Sequence, residues 1–292
     1  VTPSAGYTAL REDAALIDRS KRGRIRMTGE DRARLLHAMT TNHIQGLKPG
    51  EGCYTFFLNA QGRILADARV ACFEDHILLS TEPELRTKVY EHLDRYIIAD
   101  DVTLEDVTDS TTEFAVEGPH AASVLGIDAP LWSHVPLGDG FAQRTPAGFA
   151  LVNAATPAIP HATEEEARTV RIEEGRARYG EEITERYLIQ ETGLMHAVHF
   201  SKGCYLGQEI VERVRSRAQV HRHLRSIEID SPTPPEPGTK LDGEAGEIVS
   251  AAYSPALKKT VAMAYIRTQQ AEPGTELTLG GATLRVKSVA QP

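Results

Sequence analysis

The segment Lys202-Gly203-Cys204-Tyr205-Leu206-Gly207-Gln208-Glu209 brings a thiol, a cation and two glycines together. Its spacing reads as a loop running into a helix, the setting in which reactive side chains tend to be exposed. A thiol becomes nucleophilic where nearby positive charge or a helix N-terminus favours its thiolate. Lys202 and the following Gly207-to-Arg213 segment are placed to supply both. The competing reading is that Cys204 is a small inert side chain. Cys53 and Cys72 fall inside strand patterns and read as packing residues.

A second concentration of chemistry lies just downstream. Between Val211 and Arg225 the chain carries Arg213, Arg215, Arg217, Arg222 and Arg225 against Glu212 alone, with His221 and His223 interleaved. Such a stretch either receives carboxylates by bidentate contacts or forms a solvated face held by pairs such as Glu209 and Arg213 at i,i+4. A formal net charge of −9 for the whole chain argues against nucleic acid as the partner, because that affinity comes from clustered Lys and Arg.

The 3 cysteines include no Cys-x-x-Cys pair, so neither a disulfide framework nor a structural metal site is expected. His196 and His199 flank the cysteine segment but are too few to define a metal site. No apolar run approaches the roughly 18 residues that span a bilayer, and the start at Val1 lacks a basic-then-apolar leader pattern. The expected location is cytoplasmic, with no membrane association.

The elements that must position these groups read as α+β. Arg24 to Met27 has strand character, and Thr28-Gly-Glu-Asp31 resembles a capping box opening a helix with Leu35, Leu36 and Met39 on one face. Tyr54 to Asn59 and Arg63 to Ala71 read as strands around a turn at Gly62, with His76 to Ser80 completing a meander. A helix follows Pro83, with Leu85, Val89 and Leu93 in phase. A second sheet-and-helix unit is expected from a boundary near 108–118, with strands at Val102 to Val107 and Glu113 to Glu117, and a helix from Thr163 through Ile172. Ser231 to Gly238 is proline-rich and linker-like; beyond it four short strands suggest a small barrel, the last two joined at Gly280-Gly281. The expected organisation is residues 1–220 as two α+β subdomains, possibly discontinuous, and 221–292 as a C-terminal β-barrel.

The run from Lys202 to Glu209 resembles the signature of the YgfZ family of folate-binding proteins, relatives of the glycine-cleavage aminomethyltransferase, or T-protein. The likeness extends over Gly29 through Gly50, over Gly62-Arg-Ile-Leu-Ala-Asp67, over Arg171-Ile-Glu-Glu-Gly175, and over Gly246 to Met263. It is weakest between Thr108 and Thr169. The resemblance implies two α+β units around a central folate pocket with a C-terminal barrel, and tetrahydrofolate or a one-carbon derivative as the cofactor. It implies Glu173 as a carboxylate that grips the pterin by charge-assisted hydrogen bonds, and Asp67 as the acid beside the nitrogen that exchanges a one-carbon unit. Arg213, Arg222 or Arg225 would then hold the glutamate tail.

Two departures stand out: Ala66 replaces the first of the T-protein's paired aspartates, and Thr81 stands where an Asn is expected. With Cys204 added, the resemblance favours a protein that assists the assembly or repair of iron–sulfur enzymes, Cys204 doing thiol or partner chemistry at the rim of the pocket. Two rival readings are a folate-dependent aminomethyl- or methyltransferase using Asp67, and a scaffold with a vestigial pocket.

Overall fold

The computed structural model describes residues 3–217 and 220–291. Helix α1 (Ala5–Glu12), whose first turn is capped by the Ser4 hydroxyl, leads into β1 (Ala15–Asp18). The next elements are β2 (Gly23–Thr28), α2 (Arg32–Met39), β3 (Gly52–Leu58), β4 (Ile64–Cys72), β5 (Ile77–Thr81), α3 (Arg86–Asp94) and β6 (Thr103–Asp106). Strands β2 to β6 form an antiparallel sheet in the order β3-β4-β5-β2-β6. The capping box expected at Thr28 does not form: α2 begins after Asp31 without a side-chain cap. Gly29 turns with φ 99° there, and the Asp101 carbonyl packs where a Cβ would stand.

Alternation gives this sheet two unlike faces. Ile25, Met27, Phe57, Ala68, Val70 and Leu79 point to one side and pack beneath α2 and α3 through Leu36, Met39, Val89 and Leu93. Burying each of the larger of these side chains stabilises by about 1.5–3 kcal/mol. The opposite face carries Tyr54, Asp67, Arg69, Ser80 and Arg24. Arg24 is 0% exposed and donates to the carbonyls of Ser20, Arg22, Thr108 and Thr111 at 2.7–3.0 Å, tying β2 to the chain that follows β6.

The second sheet takes β7 (Glu113–Glu117), β8 (His134–Leu137), β9 (Gly140–Thr145) and β10 (Gly148–Val152), with the short α4 (Ala121–Leu125) after β7. Its order is β1-β7-β10-β9-β8, so one edge comes from the start of the chain. Alternation along β7 sends Phe114 and Val116 to one side and Glu113, Ala115 and Glu117 to the other. Helix α5 (Glu164–Glu173) opens with a capping box between Thr163 and Glu166 and packs Ala167 and Val170 against Tyr7 and Leu10 of α1.

After α6 (Ile189–Thr192) and α7 (Gln208–Arg217), a third antiparallel sheet comprises β11 (Arg222–Ile229), β12 (Gly246–Ser254), β13 (Lys259–Arg267), β14 (Glu276–Leu279) and β15 (Ala282–Lys287), ordered β12-β13-β11-β15-β14. The proline-rich Ser231 to Gly238 segment does not precede this sheet. It joins β11 to β12 within it, since prolines that cannot donate to a ladder still serve as a connection at its end. Tyr187 and Tyr265 stack with centroids 3.7 Å apart and attach the third sheet to the rest. Among the described residues, no helix is long and apolar enough to cross a membrane.

Candidate functional site

A cavity of about 470 Å³ lies where the polar face of the first sheet meets the polar side of β7. β4 presents Asp67 and Arg69 into it, β3 presents Tyr54, and Arg22 and Glu82 enter from the ends of β2 and β5. The last turn of α5 and the chain after it close another side with Arg171, Arg176 and Arg178.

Two acids in this cavity are driven in opposite directions. For Glu82 burial alone would raise the pKa, but Arg22 and Arg178 overcome it and pull the group down to about 2. Asp67 has no such partner in contact among the described residues. Burial, and then the negative charge of Glu82, push it up to about 6, against the Tyr54 hydroxyl that donates to Oδ2 at 2.6 Å. Its other oxygen, Oδ1, is buried without a hydrogen-bond partner among the described residues. Glu82 is therefore a fixed anion, while Asp67 is an acceptor in want of a donor and changes charge near neutrality.

Aromatic rings form a wall beside this acid. Tyr54 stacks on Trp132 at 5.6 Å and on His196 at 5.7 Å, and the Trp132 and His196 rings are 10° from parallel. Trp132 holds a left-handed φ of 68°, a conformation costly for a bulky residue, and the Gln143 side-chain amide anchors its carbonyl at 3.0 Å. Burial lowers the His196 pKa to about 4, so the ring is neutral at pH 7. Parallel ring faces next to an orphaned carboxylate oxygen suit a flat heterocycle with N–H groups on its edge. Trp132 and His196 are absent from the sequence-based site, although Trp132 is the chain's only tryptophan, a usable signal.

The structure does not bring Glu173 to this cavity. Its side chain is buried on the α1 side of α5, where it accepts from the Tyr7 hydroxyl and pairs with Arg11 at 3.2 Å. The adjacent Arg171 and Glu174 line the cavity instead, because a helix end presents neighbouring residues to different sides. The three arginines expected to meet a glutamate tail are likewise elsewhere. Arg213 is exposed and pairs with Glu209 at 2.6 Å; Arg222 pairs with Glu191 at 2.8 Å over the faces of Tyr187 and Tyr265; Arg225 donates to the Ala271 carbonyl at 2.6 Å. Of the two departures, Ala66 is a core residue, and the Thr81 hydroxyl donates to the Asp67 carbonyl at 2.8 Å, fixing the backbone under the acid.

The signature loop is bound to α2. Lys202 is buried and donates through Nζ at 2.5–2.8 Å to the carbonyls of His37 in the last turn of α2, of its C-cap Thr40, and of Asn42 just beyond. Burial pulls its pKa down to about 8. Leu206 N–H donates to Ala38, and Gly207 turns at φ 84° against the Asn59 carbonyl, where a Cβ would stand 2.6 Å from that oxygen. The glycines and Lys202 thus build the loop, and Cys204 is exposed on it, outside the residues lining the cavity. Asn42 connects the two regions: its side-chain amide donates to the carbonyls of Tyr54 and His196. Burial pushes the remaining thiols, Cys53 and Cys72, up, Cys53 to about 12, which makes them inert.

Comparison with known proteins agrees with this architecture. The chain matches the GCVT N-terminal domain over residues 4–128 and the glycine cleavage T-protein C-terminal barrel domain over residues 222–292. It is 28% identical to a putative chloroplastic transferase of Arabidopsis thaliana, with 91% of this chain and 68% of that protein covered. It is 29% identical to the aminomethyltransferase of Bacillus velezensis, with 98% and 88% covered. The crystal structure of the glycine cleavage system aminomethyltransferase T from Bartonella henselae superposes with a TM-score of 0.83 at 22% identity, covering 97% of this chain and 87% of that one. The chain thus carries a GCVT N-terminal domain and a glycine cleavage T-protein C-terminal barrel domain, which together match more than half its length, on the fold of that aminomethyltransferase.

Proposed function

We propose that the protein is a folate-dependent one-carbon transferase whose cavity takes a reduced folate. The observation that carries this reading is Asp67 Oδ1, a buried and unpartnered acceptor beside the Tyr54, Trp132 and His196 rings. A reduced pterin stacks its planar part on those rings and offers a ring N–H to this oxygen. Where a one-carbon unit passes to or from a ring nitrogen, positive charge develops on that nitrogen, and the buried Asp67 carboxylate stabilises it. The aminomethyltransferases among its relatives support the same reaction class for this chain.

The YgfZ-like reading, assistance to iron–sulfur enzymes, rests on the signature run and on one structural observation: Cys204 is exposed on a loop apart from the cavity. A thiol there meets a partner protein rather than the folate.

The two readings separate in one assay, product formation from tetrahydrofolate and a methylamine donor. The transferase reading expects turnover that Asp67→Asn reduces by about 10²-fold or more, the scale on which one electrostatic stabiliser acts, and that Cys204→Ala leaves intact. Turnover lost in Cys204→Ala and kept in Asp67→Asn would sink it. Because Asp67 must be ionised, turnover should rise with pH through about 6.

A further inference from the structure

The two oxygens of Asp67 are treated differently by the fold. Oδ2 accepts from the Tyr54 hydroxyl at 2.6 Å, while Oδ1 has no partner among the described residues. The donor to Oδ2 does not come from the residue directly across the strand pair. That residue is Phe56, whose ring has no N–H or O–H to offer, and Tyr54 reaches Asp67 diagonally, from two positions along β3.

Both ends of this contact are held. The Asn42 side-chain amide donates to the Tyr54 carbonyl at 2.9 Å, the Tyr54 ring stacks on Trp132 and His196, and the Thr81 hydroxyl donates to the Asp67 carbonyl at 2.8 Å. The last torsion of an aspartate side chain is soft, so a fixed backbone alone does not aim the carboxylate. A donor fixed in space does. Burial and the charge of Asp67 push the Tyr54 hydroxyl well above its ordinary pKa, so it remains a donor wherever Asp67 titrates.

The other polar groups around Asp67 are engaged elsewhere. Arg22 and Arg178 pair with Glu82, Arg69 pairs with Glu113, and the Tyr179 hydroxyl donates to the Leu65 carbonyl at 2.7 Å. His196 is neutral above about pH 4. Among the described residues, Tyr54 is the one side chain that donates to this carboxylate.

We propose that Tyr54 is a positioning residue for the one-carbon step: its hydroxyl ties down Oδ2, turns Oδ1 toward the reacting nitrogen of the ligand, and so makes Asp67 an acceptor for one N–H. This rests on the folate reading above. The ring and the hydroxyl of Tyr54 then have separable duties, stacking and alignment, and Tyr54→Phe removes the second alone.

The test combines a titration of the ligand-free chain with calorimetry. In protein carrying 13C-labelled aspartate, the Asp67 carboxyl resonance, assigned by its loss in Asp67→Ala, should titrate near pH 6 in wild type. Tyr54→Phe should move that midpoint upward, because losing a donor to the anion favours the protonated form; about one pH unit is the scale of one charge-assisted hydrogen bond. The surrounding charges of Glu82, Arg22, Arg69 and Arg178 are the same in both proteins, so a merely structural hydroxyl would leave the midpoint in place. Tyr54→Phe should also weaken tetrahydrofolate about fivefold or more, but less than about twofold when Asp67 is already Ala, since no carboxylate is left to align. An unmoved midpoint, or equal losses in the two backgrounds, overturns the positioning role and leaves the folate reading standing on wild-type binding. If wild type does not bind tetrahydrofolate, the folate reading falls and the positioning role with it.

Discussion

A buried carboxylate without a cationic partner carries its charge at a cost, and Asp67 is in that position. Its pKa stands at about 6 in the folded chain against 3.8 in the open chain, so the folded state binds its proton more readily than the unfolded one. The contribution of this group to stability is full below the unfolded value and is lost as pH rises through about 6. Asp67→Asn should therefore be more stable than wild type at pH 8, by on the order of 2–3 kcal/mol, with the advantage vanishing near pH 4. Urea unfolding at the two pH values checks this; an equal difference at both would contradict it. Glu173→Gln belongs to a different class. It weakens the Tyr7 and Arg11 contacts and should cost about 1–3 kcal/mol of stability while leaving ligand affinity unchanged. The exposure of Cys204 was legible in the sequence, because bracketing glycines signal a loop. The direction of Glu173 was not, because helical phase says which residues share a face and is silent on which element that face meets.

At the scale of elements, Lys202 and Arg24 show how a long cation can hold backbone together from inside. Lys202→Met removes three hydrogen bonds to carbonyls in and just after the last turn of α2 and leaves buried carbonyls unpaired, so a loss of about 2–4 kcal/mol is expected. Because the loop that exposes Cys204 is tethered by the same ammonium, the thiol of Lys202→Met should also react with an iodoacetamide probe at an altered rate. An unchanged rate together with unchanged stability would show that the tether is dispensable. Strands β2 to β5 and β12 to β15 were legible because their runs are apolar or alternating and end at turn residues such as Gly62 and Gly280-Gly281. Strands β8 to β10 were not. They are short, one contains Pro136, and Gln143 and Arg144 interrupt the alternation, so only their pairing in the sheet, β10 on β7, β9 on β10 and β8 on β9, reveals them. The linker-like Ser231 to Gly238 misled for a related reason: prolines mark a break in pairing, but β11 before them pairs with β13 and β15 after them.

Across the whole molecule, two sheets turn their polar faces toward one another and the enclosed charges mostly compensate in pairs, Glu113 with Arg69 and Glu82 with Arg22. Asp67 is the exception in that arrangement, and a ligand that donates to it completes the set. The third sheet, carried by Tyr265 against Tyr187, backs the segment that supplies Arg171 to Arg178. The two matched domains were visible in the sequence through the motifs around Gly29 to Asp67 and Gly246 to Met263. The aromatic wall was not, because Tyr54, Trp132 and His196 are far apart in sequence and meet only when the second sheet docks on the first. The most direct test of the account is calorimetric titration of wild type, Asp67→Asn and Trp132→Ala with tetrahydrofolate. The account predicts binding at one site per chain, weakened about tenfold or more in each variant by loss of a charge-assisted bond or a stacking face. Binding unaffected by both substitutions, or no binding to wild type, would contradict it.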